Sequence, residues 1–295
     1  MKLRLRDREL DLPAGAPALM GIVNATPDSF SDAQGEKSLD ALLGRALELV
    51  AAGAAVVDVG GESGRTDRAA VSVDEEAARV IPLVERLAGE GVAVSVDTWR
   101  APVACAALDA GAVLINDVSA LSDPQIASAC ATSGAGLVVT HTRVAPKTRA
   151  YPDYGDVVAD VVELLVERSA AARDLGVRDD QLLLDPGLDI AKTPAQSVEL
   201  LRRLSEIERL GRPLLLAISR KDFVGAITGR RPRERDAGTL AAVEPALDSA
   251  VGSLLRVHDV AAAADFIAVR SALRGEVAAP AAPLDDSLRR ESGPV

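Results

Sequence analysis

The chain of 295 residues is long for one domain by the usual size rule, although single α/β barrels commonly reach this length. Hydrophobic residues make up 48% of the chain and aromatic residues only 2%, which predicts a large core built from aliphatic side chains. The net charge of −11 argues against a nucleic-acid partner or a membrane-surface role, because both require a basic face.

Residues 2–12 alternate polar and apolar side chains about Arg6 and Asp7, which predicts a small β-hairpin that caps the bottom of the fold. Eight short runs rich in Val, Ile and Leu follow, and each ends on a polar residue. They are Leu19–Asn24, Ala55–Asp58, Val92–Asp97, Val113–Asp117, Gly136–His141, Gln181–Asp185, Pro213–Ser219 and Ser253–His258. Such runs are typical of parallel strands that are buried on both faces.

Segments of helical period separate these runs, and the alternation predicts a (β/α)8 TIM barrel. The C-terminal ends of barrel strands carry the active site, so the polar residues at those ends predict a binding or catalytic site. Two loops, residues 25–38 and 60–72, are longer than a barrel needs. Long loops without periodicity more often have a function than serve only as connections. We expect one domain over residues 1–275 and a disordered tail over 276–295, which contains three prolines.

The expected location is the cytoplasm. No apolar run approaches the length that spans a bilayer, and no signal-peptide pattern opens the sequence. Cys105 and Cys130 fall in predicted helices and share no metal-ligand spacing with other residues, so we expect two reduced, structural thiols.

Cationic side chains cluster after the seventh and eighth strands, where barrels often bind phosphate. The two clusters are Ser219-Arg220-Lys221 and Arg256-Val257-His258-Asp259. A single Arg or Lys is usually a solvated surface charge, but two clusters at these strand ends indicate an anion site. Arginine offers phosphate oxygens a planar pair of donors.

Three polar residues close other strands and suit a flat heterocycle: Asp97, Asn116 and Asp185. A carboxylate can accept two parallel N–H donors, the arrangement on the 2-amino and N3–H edge of a guanine-like or pterin ring. Asn116 can donate and accept, and Lys221 can donate to a ring carbonyl or nitrogen. A strand-end aspartate can instead cap the next helix, and this alternative applies above all to Asp58 and also to Asp117.

Seven motifs resemble those of dihydropteroate synthases and stand in the order of that family. They are Gly21-Ile22-Val23-Asn24-Ala25-Thr26-Pro27-Asp28-Ser29-Phe30-Ser31-Asp32, Asp58-Val59-Gly60-Gly61-Glu62-Ser63, Ser95-Val96-Asp97-Thr98, Ile115-Asn116-Asp117-Val118, Asp185-Pro186-Gly187, Ser219-Arg220-Lys221 and Arg256-Val257-His258-Asp259-Val260. The resemblance extends from about residue 19 to residue 275. It implies a homodimeric enzyme that joins 6-hydroxymethyl-7,8-dihydropterin pyrophosphate to p-aminobenzoate, forming dihydropteroate and pyrophosphate with Mg2+ as cofactor.

The resemblance also implies roles for individual residues. Asn24 would contact the Mg2+ on the pyrophosphate. The pterin would be held by Asp97, Asn116, Asp185 and Lys221. The pyrophosphate would be bound by Arg65, Arg256 and His258, and p-aminobenzoate would lie near Ser219 and Ile190. Asp32 and Arg65 would close over the site from the two long loops, and both would act catalytically together with Lys221.

Three departures from the family pattern lie near the second substrate. The pattern Ser-Thr-Arg-Pro appears as Ser63-Gly64-Arg65-Thr66, and Met-His-Met appears as Thr140-His141-Thr142. The pattern Asp-Pro-Gly-x-Gly-Phe-Gly-Lys-Thr appears as Asp185-Pro186-Gly187-Leu188-Asp189-Ile190-Ala191-Lys192-Thr193. Ile190 thus stands where an aromatic ring would pack on p-aminobenzoate, and Asp189 adds a charge beside it.

Three hypotheses follow from these residues. The first is an active dihydropteroate synthase. The second is a non-catalytic or altered-acceptor paralogue, because Thr140-His141-Thr142 and Val96-Asp97-Thr98-Trp99-Arg100 also resemble a synthase-like paralogue found in actinobacteria. The third is another barrel enzyme: an aldolase would need a Schiff-base lysine at a strand end, where this chain has none, and a pterin methyl-transfer domain would need a corrinoid partner.

Overall fold

The computed structural model describes residues 1–26, 35–63, 66, 69–285 and 288–289, with only the backbone for residues 35–38. Eight parallel strands form a closed barrel in chain order, and helices lie between consecutive strands. The predicted (β/α)8 barrel is confirmed. The loop positions of Asp32 and Arg65 lie outside the described residues.

The strands are β1 (Lys2–Leu5), β2 (Arg8–Asp11), β3 (Ala18–Asn24), β4 (Ala54–Gly60), β5 (Val94–Asp97), β6 (Leu114–Asp117), β7 (Gly136–Thr140), β8 (Leu182–Asp185), β9 (Leu214–Leu216) and β10 (Ser253–Val257). The helices of the described residues are α1 (Gly35–Ala51), α2 (Val73–Gly89), α3 (Ala101–Asp109), α4 (Pro124–Ser133), α5 (Val157–Asp174), α6 (Pro194–Arg202), α7 (Leu204–Glu208), α8 (Asp222–Thr228), α9 (Asp236–Ala241), α10 (Glu244–Leu247) and α11 (Val260–Leu273). Short 3-10 turns precede β8, at Asp179–Gln181, and α9, at Pro232–Glu234.

The N-terminal hairpin closes the bottom of the barrel, as predicted. Strands β1 and β2 pair antiparallel, with Leu5 opposite Arg8. Leu3, Leu5 and Leu12 are buried among the inward-facing side chains of the barrel strands. The hairpin therefore provides the apolar floor on which the barrel interior packs.

Inside the barrel an apolar layer lies below a polar one. The apolar layer includes Met20, Val56, Leu114, Val138, Leu183, Leu215 and Leu254. Side chains along a strand alternate between faces, so the residue two positions later points inward again and lies nearer the C-terminal end. For four of these strands that residue is Asp58, Asn116, Asp185 or Arg256. The alternation thus places four polar side chains together at the mouth of the barrel.

Neither Asp58 nor Asp117 caps a helix, so that alternative is wrong for both. Strand β4 continues past Asp58 to Gly60, and Ser72 caps α2. Asp117 closes the turn after β6, where its carboxylate accepts from the backbone N–H groups of Ser119 and Leu121. Asp123 is the residue that caps α4.

No helix in the described part of the chain is long and apolar enough to cross a membrane. Both cysteines are free and lie in helices, as predicted. Cys130 is buried, and burial raises the pKa of its thiol, whereas Cys105 is exposed and adds nothing to the core. Beyond α11 the described residues up to Asp285 form no helix or strand, and the domain boundary at residue 275 stays a prediction.

Candidate active site

The centre of the barrel mouth is an ion-pair cluster around Arg256. Its Nε donates to Oδ2 of Asp58 at 2.6 Å, and its Nη2 donates to Oδ2 of Asp97 at 2.8 Å. The amide Nδ2 of Asn116 donates to the same Oδ2 of Asp58 at 3.2 Å. The cluster connects strands β4, β5, β6 and β10, and Asp58 is its fully buried hub.

Burial raises the pKa of Asp97 because the pocket removes its carboxylate from water. The nearby charge of Arg256 acts against that rise, and the carboxylates of Asp58 and Glu76 add to it. Two carboxylates that share one guanidinium compete for its positive charge. A ligand that brings N–H donors to Asp97 would stabilise the ionised form of that carboxyl.

Asp185 and Lys221 form the neighbouring part of the site. Asp185 is buried, and its Oδ1 accepts from the backbone N–H of Gly187 at 2.7 Å. Burial raises the pKa of Asp185, whereas the Gly187 hydrogen bond and the charge of Lys221 oppose the rise. The Lys221 ammonium donates to the carbonyl of Leu188 at 2.8 Å. The turn after β8 thus holds both groups.

His258 and Ser219 make a hydrogen-bonded pair at the ends of β10 and β9. Oγ of Ser219 lies 2.8 Å from Nδ1 of His258, and the backbone N–H of His258 donates to the same Oγ at 3.2 Å. Burial and the charges of Arg220 and Arg256 lower the pKa of His258 to about 4. The imidazole is therefore neutral near pH 7 and carries one ring proton.

Lys192 organises the turn that carries Ile190, a role that no motif indicated. Its buried ammonium donates to three backbone carbonyls, those of His141 at 3.2 Å, Gly187 at 2.9 Å and Ile190 at 3.1 Å. Burial lowers the pKa of Lys192 to about 7, against the opposing charge of Asp185. The hydroxyl of Tyr154 donates to the carbonyl of Ala191 at 3.0 Å and holds the same turn from outside.

His141 lies behind the site and is fully buried. Its Nε2 is 2.7 Å from Oδ1 of Asp160, and its ring packs against Tyr154. Burial and the charge of Lys192 lower the pKa of His141 to about 4. The residue therefore supports the loops after β7 and β8 and contributes no group to the cavities described next.

Two adjoining cavities open above these residues. The first, about 420 Å³, is lined by Asn24, Asp97, Ile190, Lys221, Arg256 and His258, among others. The second, about 760 Å³, is lined by Tyr151, Arg149, Ser219, Arg220, Lys221 and His258, among others. Because Lys221 and His258 line both, the cavities form one cleft with room for two small ligands.

A second ion network supports the base of the loop after β4. Nη1 of Arg100 donates to Glu62 at 2.7 Å and also to the fully buried Glu76, whose pKa is raised by burial. Lys147, from the loop after β7, pairs with Glu62 at 3.2 Å. Lys147 also donates to the carbonyl of Ser63 at 2.7 Å, so the network holds Glu62 and Ser63 directly before the segment that contains Arg65.

Most of the predicted site residues lie in or beneath this cleft. Asn24, Asp97, Ile190, Ser219, Lys221, Arg256 and His258 line it, and Asn116 and Asp185 lie just below. Sequence reasoning missed that Asp58 orients Arg256, that Lys192 holds the turn after β8, and that Arg100 forms a buried network. The inward alternation in β4 was the available signal for Asp58. A buried lysine in a loop leaves no comparable pattern.

Comparison with known proteins places the chain among pterin enzymes. The family model described as pterin binding enzyme matches residues 20–258. Dihydropteroate synthase of Synechocystis sp. is 41% identical over 259 residues, which cover 86% of this chain and 89% of that protein. The Escherichia coli K12 enzyme of the same name is 41% identical over 263 residues, covering 88% and 92%. The solved structure of Xanthomonas albilineans dihydropteroate synthase with 4-aminobenzoic acid has a TM-score of 0.83 at 41% identity, covering 95% of this chain and 100% of that one. The same bacterium's enzyme in complex with 7,8-dihydropteroate has a TM-score of 0.82.

Proposed function

The chain belongs to the dihydropteroate synthase family of pterin-binding enzymes, and we propose that it condenses 6-hydroxymethyl-7,8-dihydropterin pyrophosphate with p-aminobenzoate. One observation carries this proposal. Asp97, Arg256 and Lys221 line one cleft, and the buried carboxylates of Asp58 and Asp185 lie directly beneath it, so acceptors for a pterin edge adjoin donors for a diphosphate. The comparisons lend no support to the alternative of a non-catalytic or altered-acceptor paralogue.

The proposed pterin subsite contains side-chain oxygens that can accept further hydrogen bonds. Oδ1 of Asn116 and Oδ1 of Asp58 have no hydrogen-bond partner among the described residues. Asp97 uses one oxygen for Arg256, so its other oxygen is free to accept from the ring. In the proposed complex, Asp97, Asn116 and Asp185 accept ring N–H groups, and Lys221 donates to a ring carbonyl or nitrogen.

The reaction breaks the bond between the pterin methylene carbon and the pyrophosphate oxygen. The electron pair leaves with pyrophosphate, the amine nitrogen of p-aminobenzoate bonds to the carbon, and one amine proton is lost to solvent. Negative charge on the leaving group would be stabilised by Arg256, which has three N–H groups beyond those given to Asp58 and Asp97. Positive charge on the methylene would be stabilised by Asp185.

Asp32 and Arg65 complete the proposed catalytic set. In the sequence Asp32 follows β3 and Arg65 follows β4, and we assign Arg65 to the pyrophosphate and Asp32 to the developing cation. Closure of these loops would exclude water, which otherwise captures the electrophilic carbon. A weak aromatic amine needs little base assistance once that carbon is electrophilic, so no dedicated general base is required.

The hydroxyl of Ser219 and the neutral imidazole of His258 carry one proton each, and one of these protons is used in the hydrogen bond between the two side chains. The other proton is available to a ligand. With the Ser219 hydroxyl directed to Nδ1, His258 offers Nε2–H to pyrophosphate. With the ring proton on Nδ1, Ser219 instead offers its hydroxyl to the acceptor carboxylate. Replacing the expected aromatic residue by Ile190 would weaken acceptor binding by about 0.5–1.5 kcal/mol.

We propose that Mg2+ binds together with the pyrophosphate group of the substrate. In the described part of the chain no group of three or more His, Cys, Asp and Glu side chains is arranged to hold a metal ion. Asn24 lines the cleft and would supply one amide oxygen, which suits an ion that keeps phosphate and water as its other ligands. When bound, such an ion would supply positive charge that neutralises the leaving group.

The decisive assay measures pyrophosphate release by the purified protein with the pterin pyrophosphate, with and without p-aminobenzoate. The proposal expects release that depends on p-aminobenzoate and on Mg2+, and dihydropteroate in equal amount. Asn24→Ala should raise the Mg2+ concentration needed for half-maximal rate. Pterin binding by calorimetry without any turnover would instead support the non-catalytic paralogue.

A cytoplasmic homodimer is also proposed. Support for the dimer comes from an apolar groove on the outer face between α6, α8 and α10, lined by Val198, Leu201, Phe223, Ile227 and Pro245. Ile227 is 70% exposed there, and exposed apolar grooves of this kind often mark interfaces. Light scattering of Ile227→Glu beside the parent protein tests it, since the dimer predicts a lower mass for the variant.

A further inference from the structure

The turn between Asp185 and Thr193 keeps a left-handed backbone where glycine has been replaced. Gly187, Asp189 and Ala191 all have positive φ, at +69°, +60° and +51°. The family pattern has glycine at all three positions, and this chain has it only at the first. Left-handed backbone is costly for residues with a Cβ, so contacts must hold Asp189 and Ala191 in place.

The side chain of Asp189 makes such contacts with two other elements. Its Oδ2 accepts from the backbone N–H of Asp222 and, at 3.3 Å, from that of Phe223, in the first turn of α8. Its Oδ1 accepts from the buried hydroxyl of Ser197 in α6 at 2.8 Å. The Ser197 oxygen in turn accepts from the backbone N–H of Asp189 at 3.0 Å. One carboxylate therefore links the turn after β8 to α6 and α8.

This link lies beside Lys221. Lys221 directly precedes α8, and its ammonium donates to the carbonyl of Leu188, the residue before Asp189. The preceding residue, Arg220, also has a left-handed backbone, with φ +57°, and its N–H donates to Thr239. Two adjacent residues of the turn after β8 thus act on this segment: Leu188 binds the ammonium of Lys221, and Asp189 holds the backbone directly after it.

We propose that Asp189 is a positioning residue: its carboxylate ties the start of α8 to the turn after β8 and so directs the Lys221 ammonium to the pterin subsite. This inference rests on the pterin-binding role of Lys221 in the proposed function. It gives a role to the carboxylate of Asp189, which replaces the glycine of the family pattern near the expected p-aminobenzoate site. The affected substrate is the pterin, because Asp189 acts through Lys221.

The test compares Asp189→Gly and Asp189→Asn with the parent. Glycine relieves the left-handed strain but removes the link, whereas asparagine keeps an oxygen acceptor for α8 and a donor for Ser197. Calorimetry with the pterin pyrophosphate should show about tenfold weaker binding for Asp189→Gly, and binding within about threefold of the parent for Asp189→Asn. Steady-state kinetics should show a larger change in KM for the pterin than in kcat or in KM for p-aminobenzoate.

Asp156→Gly is the matched control, because Asp156 caps α5 through the N–H groups of Val158 and Ala159 and pairs with Arg203. It should lower the melting temperature without changing pterin affinity. Unchanged affinity in Asp189→Gly, or an equal loss in Asp156→Gly, would overturn the inference. A parent protein that binds the pterin but forms no dihydropteroate would refute the proposed function, and the calorimetric comparison would still decide the role of Asp189.

Discussion

Arg256 donates to Asp58 at 2.6 Å although the two residues are 198 positions apart in the chain. Asp58 is fully buried and also accepts from Asn116, so its carboxylate orients two groups of the proposed site. Asp58→Ala should lower kcat/KM for pyrophosphate release by about 100-fold, because Arg256 would then be held by Asp97 alone. Asp58→Asn keeps one acceptor and should lose less.

The control for this change is Asp248→Ala, which removes a surface carboxylate paired with Arg270 and Arg274. It should leave kcat/KM unchanged. Equal activity of Asp58→Ala and the parent would mean that Arg256 does not need Asp58 to act on the substrate.

Much of this site was predictable from the strand ends. Asp97, Asn116 and Asp185 close predicted strands and do meet at the barrel mouth, since parallel strands in a barrel end on the same face. The pairing of Asp97 with Arg256 was not predictable, because it depends on how the last strand closes against the first ones. The family resemblance assigned Asp97 to the pterin and Arg256 to the pyrophosphate, and it gave no indication that the two side chains are in contact.

Loops were less predictable than strands for a physical reason. The sequence pattern of residues 185–193 suggested that Asp189 and Ile190 alter the acceptor site, but it could not show which partners the new carboxylate would find. Those partners, Ser197 and the start of α8, come from two different helices. Only the tertiary arrangement brings them together.

The pterin subsite should depend on the charge of Asp185. Asp185→Asn keeps an oxygen for the N–H of Gly187 but removes the carboxylate, so the turn should stay folded. Calorimetry should show pterin pyrophosphate binding weakened by about 10- to 100-fold, the usual effect of losing charged hydrogen bonds. Lys221→Ala should weaken it at least as much. If both variants bound the pterin as tightly as the parent does, the assignment of Asp185 and Lys221 to the pterin subsite would be wrong.

The buried network around Arg100 should contribute strongly to stability. Arg100→Met leaves Glu76 fully buried without its guanidinium partner, and such a loss typically costs about 3–5 kcal/mol. Urea denaturation should detect it, and the double variant Arg100→Met with Glu76→Gln should recover part of the loss. Arg86→Met, which breaks an exposed pair with Asp40, should cost less than about 1 kcal/mol. Similar costs for Arg86→Met and Arg100→Met would contradict this account.

Ala191→Gly should stabilise the protein. Ala191 has φ +51°, a conformation that glycine adopts without a steric penalty, so the free energy of unfolding should rise by about 1 kcal/mol. Ala170→Gly provides the opposite control, because Ala170 lies inside α5, where glycine should cost about 1 kcal/mol. A loss of stability in Ala191→Gly would show that contacts of the alanine methyl outweigh the backbone strain.

The pH dependence of stability should reveal the buried histidines. The folded pKa of His141 is about 4, below its ordinary value of 6.5, so the unfolded chain takes up the proton first as pH falls. The contribution of His141 to stability is therefore intact above pH 6.5 and is lost as pH falls toward 4. The raised pKa values of Asp97 and Asp185 have the opposite effect, because they increase stability as pH falls. Both carboxyls are present in the parent and in the variant, so their effect cancels in the comparison. Between pH 7 and pH 5, His141→Gln should thus lose about 2 kcal/mol less stability than the parent in urea denaturation. Parallel curves for the two proteins over that interval would mean that His141 is protonated as easily in the folded state as in the unfolded one.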